Sequence, residues 1–200
     1  MTLPKLIQNL VDRLARLPSI GPRQATRLAF YLISRGQNEL LGLAKEIDDL
    51  RKLKICARCF FIHQNGGNLC DICLDSKRDH STIAIIDKET DLLSIENTKK
   101  YHGRYLILGP IPKTGILEEW QKLRVQNLKG FIEKDYDGKA TEIILAFSPT
   151  ASGDFNASLL IKALSPLAKK ITRLGRGLPT GGEIEFADDE TLGESLIKRY

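Results

Sequence analysis

No apolar run in the 200-residue sequence approaches the roughly 20 residues that a membrane-spanning helix needs, so no transmembrane segment is expected. The amino-terminal stretch also lacks a basic start followed by an apolar segment and a small-residue cleavage site, and the expectation is a cytoplasmic protein. Internal repeats and low-complexity linkers are missing. Cysteine is absent except between Cys56 and Cys73, where all four occur. In a reducing compartment, that crowding argues for one shared metal ion rather than two disulfides. Aromatic residues are sparse, and Trp120 and the tyrosines are scattered in the manner of core or partial-surface residues rather than of a base-stacking platform. The glycine-rich stretch Gly175–Glu183 has no Gly-Lys-Ser/Thr after it, and Glu183 and Glu185 would repel phosphates. An interaction or oligomer-contact loop suits it better than a nucleotide-binding loop.

What is present is unevenly placed. The net charge of +5 is concentrated at one end: residues 1–36 carry Lys5, Arg13, Arg16, Arg23, Arg27 and Arg35 against Asp12 alone. The remaining 164 residues hold 24 basic and 24 acidic groups. A polyanion such as nucleic acid would meet the amino-terminal segment first, although a solvated helix face accounts for the charge equally well.

Leu6, Ile7, Leu10, Leu14 and Leu17 recur at helical spacing, and a helix is expected from residue 4 to about 16. After a break at Leu17-Pro18-Ser19-Ile20-Gly21-Pro22, the period resumes through Ala25, Leu28, Ala29, Leu32 and Ile33. A third helix follows through Leu40, Leu43, Ala44, Ile47 and Leu50. Beyond Asp79 the rhythm becomes α/β. The runs 83–86, 105–108 and 143–147 read as strands buried on both faces, and helices are expected near 89–97, 116–134 and 155–168. A strand near 170–174 and a short helix entered at Asp188 or Asp189 complete the chain.

Three constellations carry chemistry. Cys56-x2-Cys59 and Cys70-x2-Cys73 place two thiolate pairs where a hairpin can unite them into a tetrahedron. Four sulfurs suit a structural zinc ion and leave no open position for water; an iron–sulfur cluster is the alternative, and His63 is a competing ligand. Residues 14–27, Leu-Ala-Arg-Leu-Pro-Ser-Ile-Gly-Pro-Arg-Gln-Ala-Thr-Arg, resemble a helix-hairpin-helix DNA-binding motif. There Gly21 lets the backbone approach a phosphate, and Arg23 and Arg27 share a helix face, with Arg16 beside the turn. Such contacts are independent of base sequence and weaken with salt. A helical hairpin that only packs or dimerises is the competing reading.

The α/β segment resembles a Toprim domain, whose catalytic members hold magnesium on a glutamate after the first strand and an Asp-x-Asp pair after a later one. Here Asp87 stands in the glutamate position, while Ser148 and Thr150 replace the two aspartates ahead of Asp154. Asp87 and Asp154 alone make an incomplete site, and solvated strand-end or helix-cap roles suit them as well.

Taken in order, these modules and the tail Gly-Leu-Pro-Thr-Gly-Gly-Glu-Ile-Glu resemble the RecR family of bacterial recombination mediators along essentially the whole chain. The resemblance implies an α+β, multi-module protein. Its parts are a helix-hairpin-helix DNA-binding region over 1–54, a four-cysteine zinc finger over 55–79, a Toprim domain with a mostly parallel sheet over 80–175, and a carboxy-terminal oligomer-contact tail over 176–200. It also implies a non-enzymatic function in recombinational DNA repair: working with RecO, and in many bacteria RecF, to load RecA onto single strands coated with SSB. The location implied is cytoplasmic, at the nucleoid during repair. Single-stranded and duplex DNA, a homodimer or ring-like homotetramer, one structural zinc ion on Cys56, Cys59, Cys70 and Cys73, and a Toprim surface receiving RecO complete the implied picture.

The sequence departs from the family in three places. Its loop after Leu108 reads Gly109-Pro-Ile-Pro-Lys-Thr-Gly115-Ile and is shortened, the family's Glu-Gly-Glu is here Ser152-Gly153-Asp154, and its first Toprim acid is here Asp87 rather than glutamate. Two other classes stay open: a magnesium-dependent Toprim nuclease or primase-like enzyme using Asp87 and Asp154, and a protein-only scaffold.

Overall fold

The computed structural model describes residues 3–112, 114 and 116–199; Lys113 and Gly115 of the shortened loop, and Tyr200 of the tail, lie outside the described residues. The chain divides into two compact units, one ending at Leu53 and the other beginning at Lys54.

The first unit is helical: α1 (Lys5–Leu14), α2 (Pro22–Ser34) and α3 (Gln37–Asp49). Pro22 opens α2, where its missing N–H costs nothing, and Gly36 at φ 86° turns the chain into α3. Val11, Ala25 and Ala29 form a small core with Ile7, Leu10, Leu14, Ala15 and Ile20 around it. The two alanines let α1 approach α2 closely. The apolar period of α3 buries nothing: Leu41, Ile47 and Leu50 stand exposed, as do Phe30 and Tyr31 of α2.

The second unit begins with a two-residue antiparallel hairpin, β1 (Lys54–Ile55) and β2 (Ile62–His63), and a single helical turn, α4 (Asp71–Leu74). A four-stranded parallel sheet follows in the order β4-β3-β5-β6, from β3 (Asp79–Ile86), β4 (Gly103–Ile107), β5 (Ala140–Leu145) and β6 (Ala168–Arg173). Helices α5 (Glu89–Asn97), α6 (Glu119–Asp135) and α7 (Ala151–Leu164) connect the strands, and α8 (Asp189–Ile197) ends the chain. One face of the sheet packs Ile83, Ile85, Leu106 and Ile143 against Val125 and Ile132 of α6 and Leu160 and Leu164 of α7. The other face packs Ala84, Ile86 and Ile107 against Leu92 of α5, with Phe60, Phe61 and Ile72 from the cysteine segment alongside. Burial on both faces explains the uninterrupted apolar strands.

Several boundaries differ from those expected, two of them with a clear cause. Strand β3 starts at Asp79 rather than 83, with an irregular register between Asp79 and Ile83 that the polar stretch Asp79–Thr82 concealed. Helix α7 starts at Ala151 rather than 155, because the Thr150 hydroxyl accepts a hydrogen bond from the Gly153 N–H and caps it.

Candidate nucleic-acid interface and metal centre

In the first unit, the break between α1 and α2 is a tight turn closed by Ile20 N–H donating to Leu17 C=O at 3.2 Å. Its left-handed residue is Ser19, at φ 64°. Gly21 is extended, at φ −82°, and a Cβ built on it would meet nothing within 4 Å. The hairpin itself therefore does not require glycine at 21. Gly21 precedes α2 with no side chain capping it, so the N–H groups of the first turn beyond Pro22 point outward without intrahelical acceptors. Arg23 and Arg27 are exposed on α2 at a spacing that puts them on one face, and Arg16 is exposed just before the turn. Among the described residues, the ion pairs of this unit are Arg51 with Asp48 and Lys52 with Asp49, which leave those three arginines uncommitted. A helix N-terminus with a positive dipole end and flanking guanidiniums can hold a phosphate.

The cysteine centre lies in the second unit. Cys56 and Cys59 lie in the turn between β1 and β2, while Cys70 precedes the single turn of α4 and Cys73 lies within it. All four are buried, and their Sγ atoms lie within 4.8 Å of one another, with Cys59 and Cys70 at 3.5 Å. Four thiolates around a tetrahedral ion at about 2.3 Å would stand roughly 3.8 Å apart, so the donor set fits a metal ion with no vacant position. Backbone N–H groups of Phe61 and Cys70 donate to the sulfurs of Cys59 and Cys56, each at 3.4 Å, and stabilise thiolate charge. His63 is buried but stands outside this set; its Nδ1 accepts from the Asn65 N–H at 3.2 Å.

The knuckle is fastened to the sheet module in three places. Ile107 N–H donates to Cys59 C=O at 2.9 Å, Arg58 pairs with Asp135 of α6, and the Arg124 guanidinium lies between the rings of Phe60 and Trp120, 4.6 and 4.7 Å from their centres. Neither arginine stood out in the sequence, because Arg58 and Asp135, and Phe60 and Arg124, are far apart along the chain.

At the carboxyl ends of the strands, the structure keeps Asp87 and Asp154 in different circumstances. Asp87 follows β3; its Oδ1 is buried without a partner among the described residues, and burial pushes its carboxyl up to about 6. Asp154, in the first turn of α7, accepts hydrogen bonds from Arg173 and Arg176, and Arg173 foremost holds it below the usual carboxylate range. The Thr150 hydroxyl is spent on capping. Among the described residues, the four cysteines are the one group of three or more metal-ligating side chains gathered together. The two arginines were not anticipated from sequence. Their signal is modest: cations ending one strand opposite an acid that follows its neighbour.

No helix among the described residues is long and apolar enough to cross a membrane. Residues 7–51 match the family model described as RecR, helix-hairpin-helix; residues 81–175 match the Toprim domain; and residues 177–200 match RecR, C-terminal. A protein of Chloroflexus aurantiacus named Recombination protein RecR is 41% identical over 196 residues, covering 96% of this chain and 93% of the relative. Proteins of the same name from Frankia casuarinae and Bifidobacterium longum are each 37% identical, over 199 and 198 residues. Those alignments cover 97% and 96% of this chain, and 96% and 94% of the relatives.

Proposed function

The chain belongs to the RecR family of recombination proteins, and from that premise we propose that it is a non-enzymatic mediator of recombinational repair that binds DNA through the α1–α2 hairpin. The observation that carries this reading is the uncapped start of α2, flanked by Gly21, Arg16, Arg23 and Arg27 with no acid paired to them among the described residues. Phosphate oxygens of single-stranded or duplex DNA would accept from the first-turn N–H groups and from the guanidiniums, without reading bases. Cys56, Cys59, Cys70 and Cys73 would hold one zinc ion, whose contribution is to fold the knuckle rather than to react.

The absence of covalent chemistry is supported by the acids themselves. Magnesium needs carboxylate ligands, yet Asp154 is already committed to two arginines and Asp87 stands without a second acid of the Toprim set. The proposal extends to partners: RecO would be received on the Toprim surface, RecF would be a further partner, and RecA loading on SSB-coated strands would be the outcome. The exposed apolar faces of α2 and α3, with Ile184, Phe186, Leu196 and Ile197 exposed in the tail, support assembly into a homodimer or ring-like homotetramer.

The test is anisotropy of labelled single-stranded and duplex DNA at several salt concentrations, for the parent and for Arg23→Glu/Arg27→Glu. Binding that falls steeply with salt in the parent and drops at least tenfold in the variant is expected. Equal binding by both proteins would move the DNA contact off the hairpin.

A further inference from the structure

The outer surface of α6 and α7 carries a groove of about 410 Å³ that the proposed function leaves unused. Lys122, Val125 and Lys129 line it from α6, at a spacing that follows one face of that helix. Leu159 and Ala163 line it from α7, and Ile116, which precedes α6, lines it as well. Val125 is buried at the bottom, whereas Ile116 and Leu159 are 69% and 41% exposed. The surfaces assigned above to copies of this chain lie on α2, α3 and the tail, and the groove belongs to none of them.

Its charge pattern says what it can receive. Both charged side chains that line it are cations, Lys122 and Lys129, seven residues apart and so about 10 Å along α6. Among the described residues, the ion pair that involves either lysine is Lys122 with Glu119 at 2.6 Å, an exposed contact that a better-placed carboxylate can displace. Glu119 and Glu133 stand one turn beyond the lysines at either end of this stretch and do not line the groove. A ligand that fits therefore carries acids over two central turns, none at its ends, and an apolar stripe between. Nucleic acid is the poorer match: phosphates would take the lysines and leave Ile116 and Leu159 against a charged backbone.

We infer that the groove between α6 and α7 is the docking site for an acidic, amphipathic helix of a partner protein. The helix lies between α6 and α7 as a third helix over the same face of the sheet. Its apolar stripe covers Ile116, Val125 and Leu159, and two of its carboxylates, two turns apart, meet Lys122 and Lys129. Helix α6 is 17 residues long and α7 is 14, so the walls are long enough to hold several turns. Ala163 keeps the α7 wall low and lets the incoming backbone approach. The contact does not depend on the DNA-binding reading of the α1–α2 hairpin.

The probe is a synthetic, fluorescein-labelled helical peptide of about 18 residues, long enough to match α6, with a leucine stripe, two glutamates seven positions apart and uncharged ends. A second peptide has lysines in place of the two glutamates. Anisotropy is followed as each is titrated with the full-length parent, with Lys122→Glu/Lys129→Glu and with Ile116→Ser/Leu159→Ser. The parent is expected to bind the glutamate peptide about tenfold or more tighter than the lysine peptide, and the charge variant to reverse that preference. The serine variant should weaken both peptides severalfold. Failure of the parent to bind, or equal binding of both peptides, overturns the inference without recourse to any variant. Loss in the charge variant with none in the serine variant reduces the contact to ionic adsorption and overturns helix docking. An equal loss of labelled duplex DNA by the charge variant would assign the lysines to DNA instead. Weaker self-association of either variant in sedimentation velocity would make the groove a contact between copies, which also overturns it.

Discussion

Arg58, the residue before the second cysteine of the knuckle, donates from Nη2 to Asp135 Oδ2 at 3.1 Å, at the last residue of α6. Both side chains are largely shielded from water, and the Arg58 guanidinium lies 4.9 Å from the centre of the Phe131 ring on the same helix. Removing Asp135 would leave a shielded cation without its carboxylate. Asp135→Ala is therefore expected to lower stability by about 1–3 kcal/mol, read as a shifted urea midpoint. An Asp135→Ala/Arg58→Met double variant should recover part of that loss. Additive losses in the two variants would mean that the pair does not couple knuckle and helix.

The same fastening gives metal removal a defined reach. A strong chelator is expected to release about one equivalent of zinc and to abolish amide protection over 54–79 first, then to loosen the carboxyl end of α6 and the Ile107 amide, which donates to Cys59. The hairpin of α1 and α2, with its own core around Val11, Ala25 and Ala29, should keep its protection. Hydrogen exchange followed by mass spectrometry distinguishes this order from uniform loss.

Gly21 separates a demand of the fold from a demand of the ligand. Its φ of −82° suits any residue and its Cβ position is open, so Gly21→Ala should leave the melting temperature unchanged or raise it slightly. DNA affinity should nevertheless fall severalfold, because a methyl group would stand between the backbone and a phosphate. Unchanged affinity would remove the backbone of residue 21 from the contact.

Asp87 makes a pH-dependent contribution whose sign follows from its burial. Its folded carboxyl titrates at about 6, above the ordinary value near 3.9, so stability associated with its neutral form is present at low pH and is lost as pH rises through 6. Asp87→Asn keeps that neutral form at all pH values. The advantage of the variant over the parent should grow by about 1–2 kcal/mol between pH 5 and pH 7.5 in denaturant melts. An equal difference at both pH values would mean that the carboxyl is not shifted. Magnesium at millimolar concentration should stabilise neither protein if Asp87 has no carboxylate partner.

Much of this architecture was readable from the chain because it depends on local rules. Helix α5 occupies 89–97 as its period indicates, the CxxC pairs meet as their spacing requires, and Asp188 caps α8 by accepting from the Thr191 N–H at 2.8 Å. What was not readable depends on residues distant in sequence or on competition for one atom. Arg173 and Arg176 reach Asp154 across 19 and 22 positions, without any periodic signature. Ser19 takes the left-handed conformation although Gly21 is two residues away, because the turn needs that geometry at 19. The exposed face of α3 carries an ordinary core pattern, and sequence alone does not say whether such a face meets its own chain or another.

Strand β4 is the outermost strand of the sheet on its side, and the Ile107 N–H is taken by Cys59 of the knuckle. An outer strand with free amides invites strands from neighbouring molecules to add to it. The cysteine module thereby covers an outward amide on this margin of the protein, and a chain deprived of its metal would offer that amide to strand pairing with its neighbours.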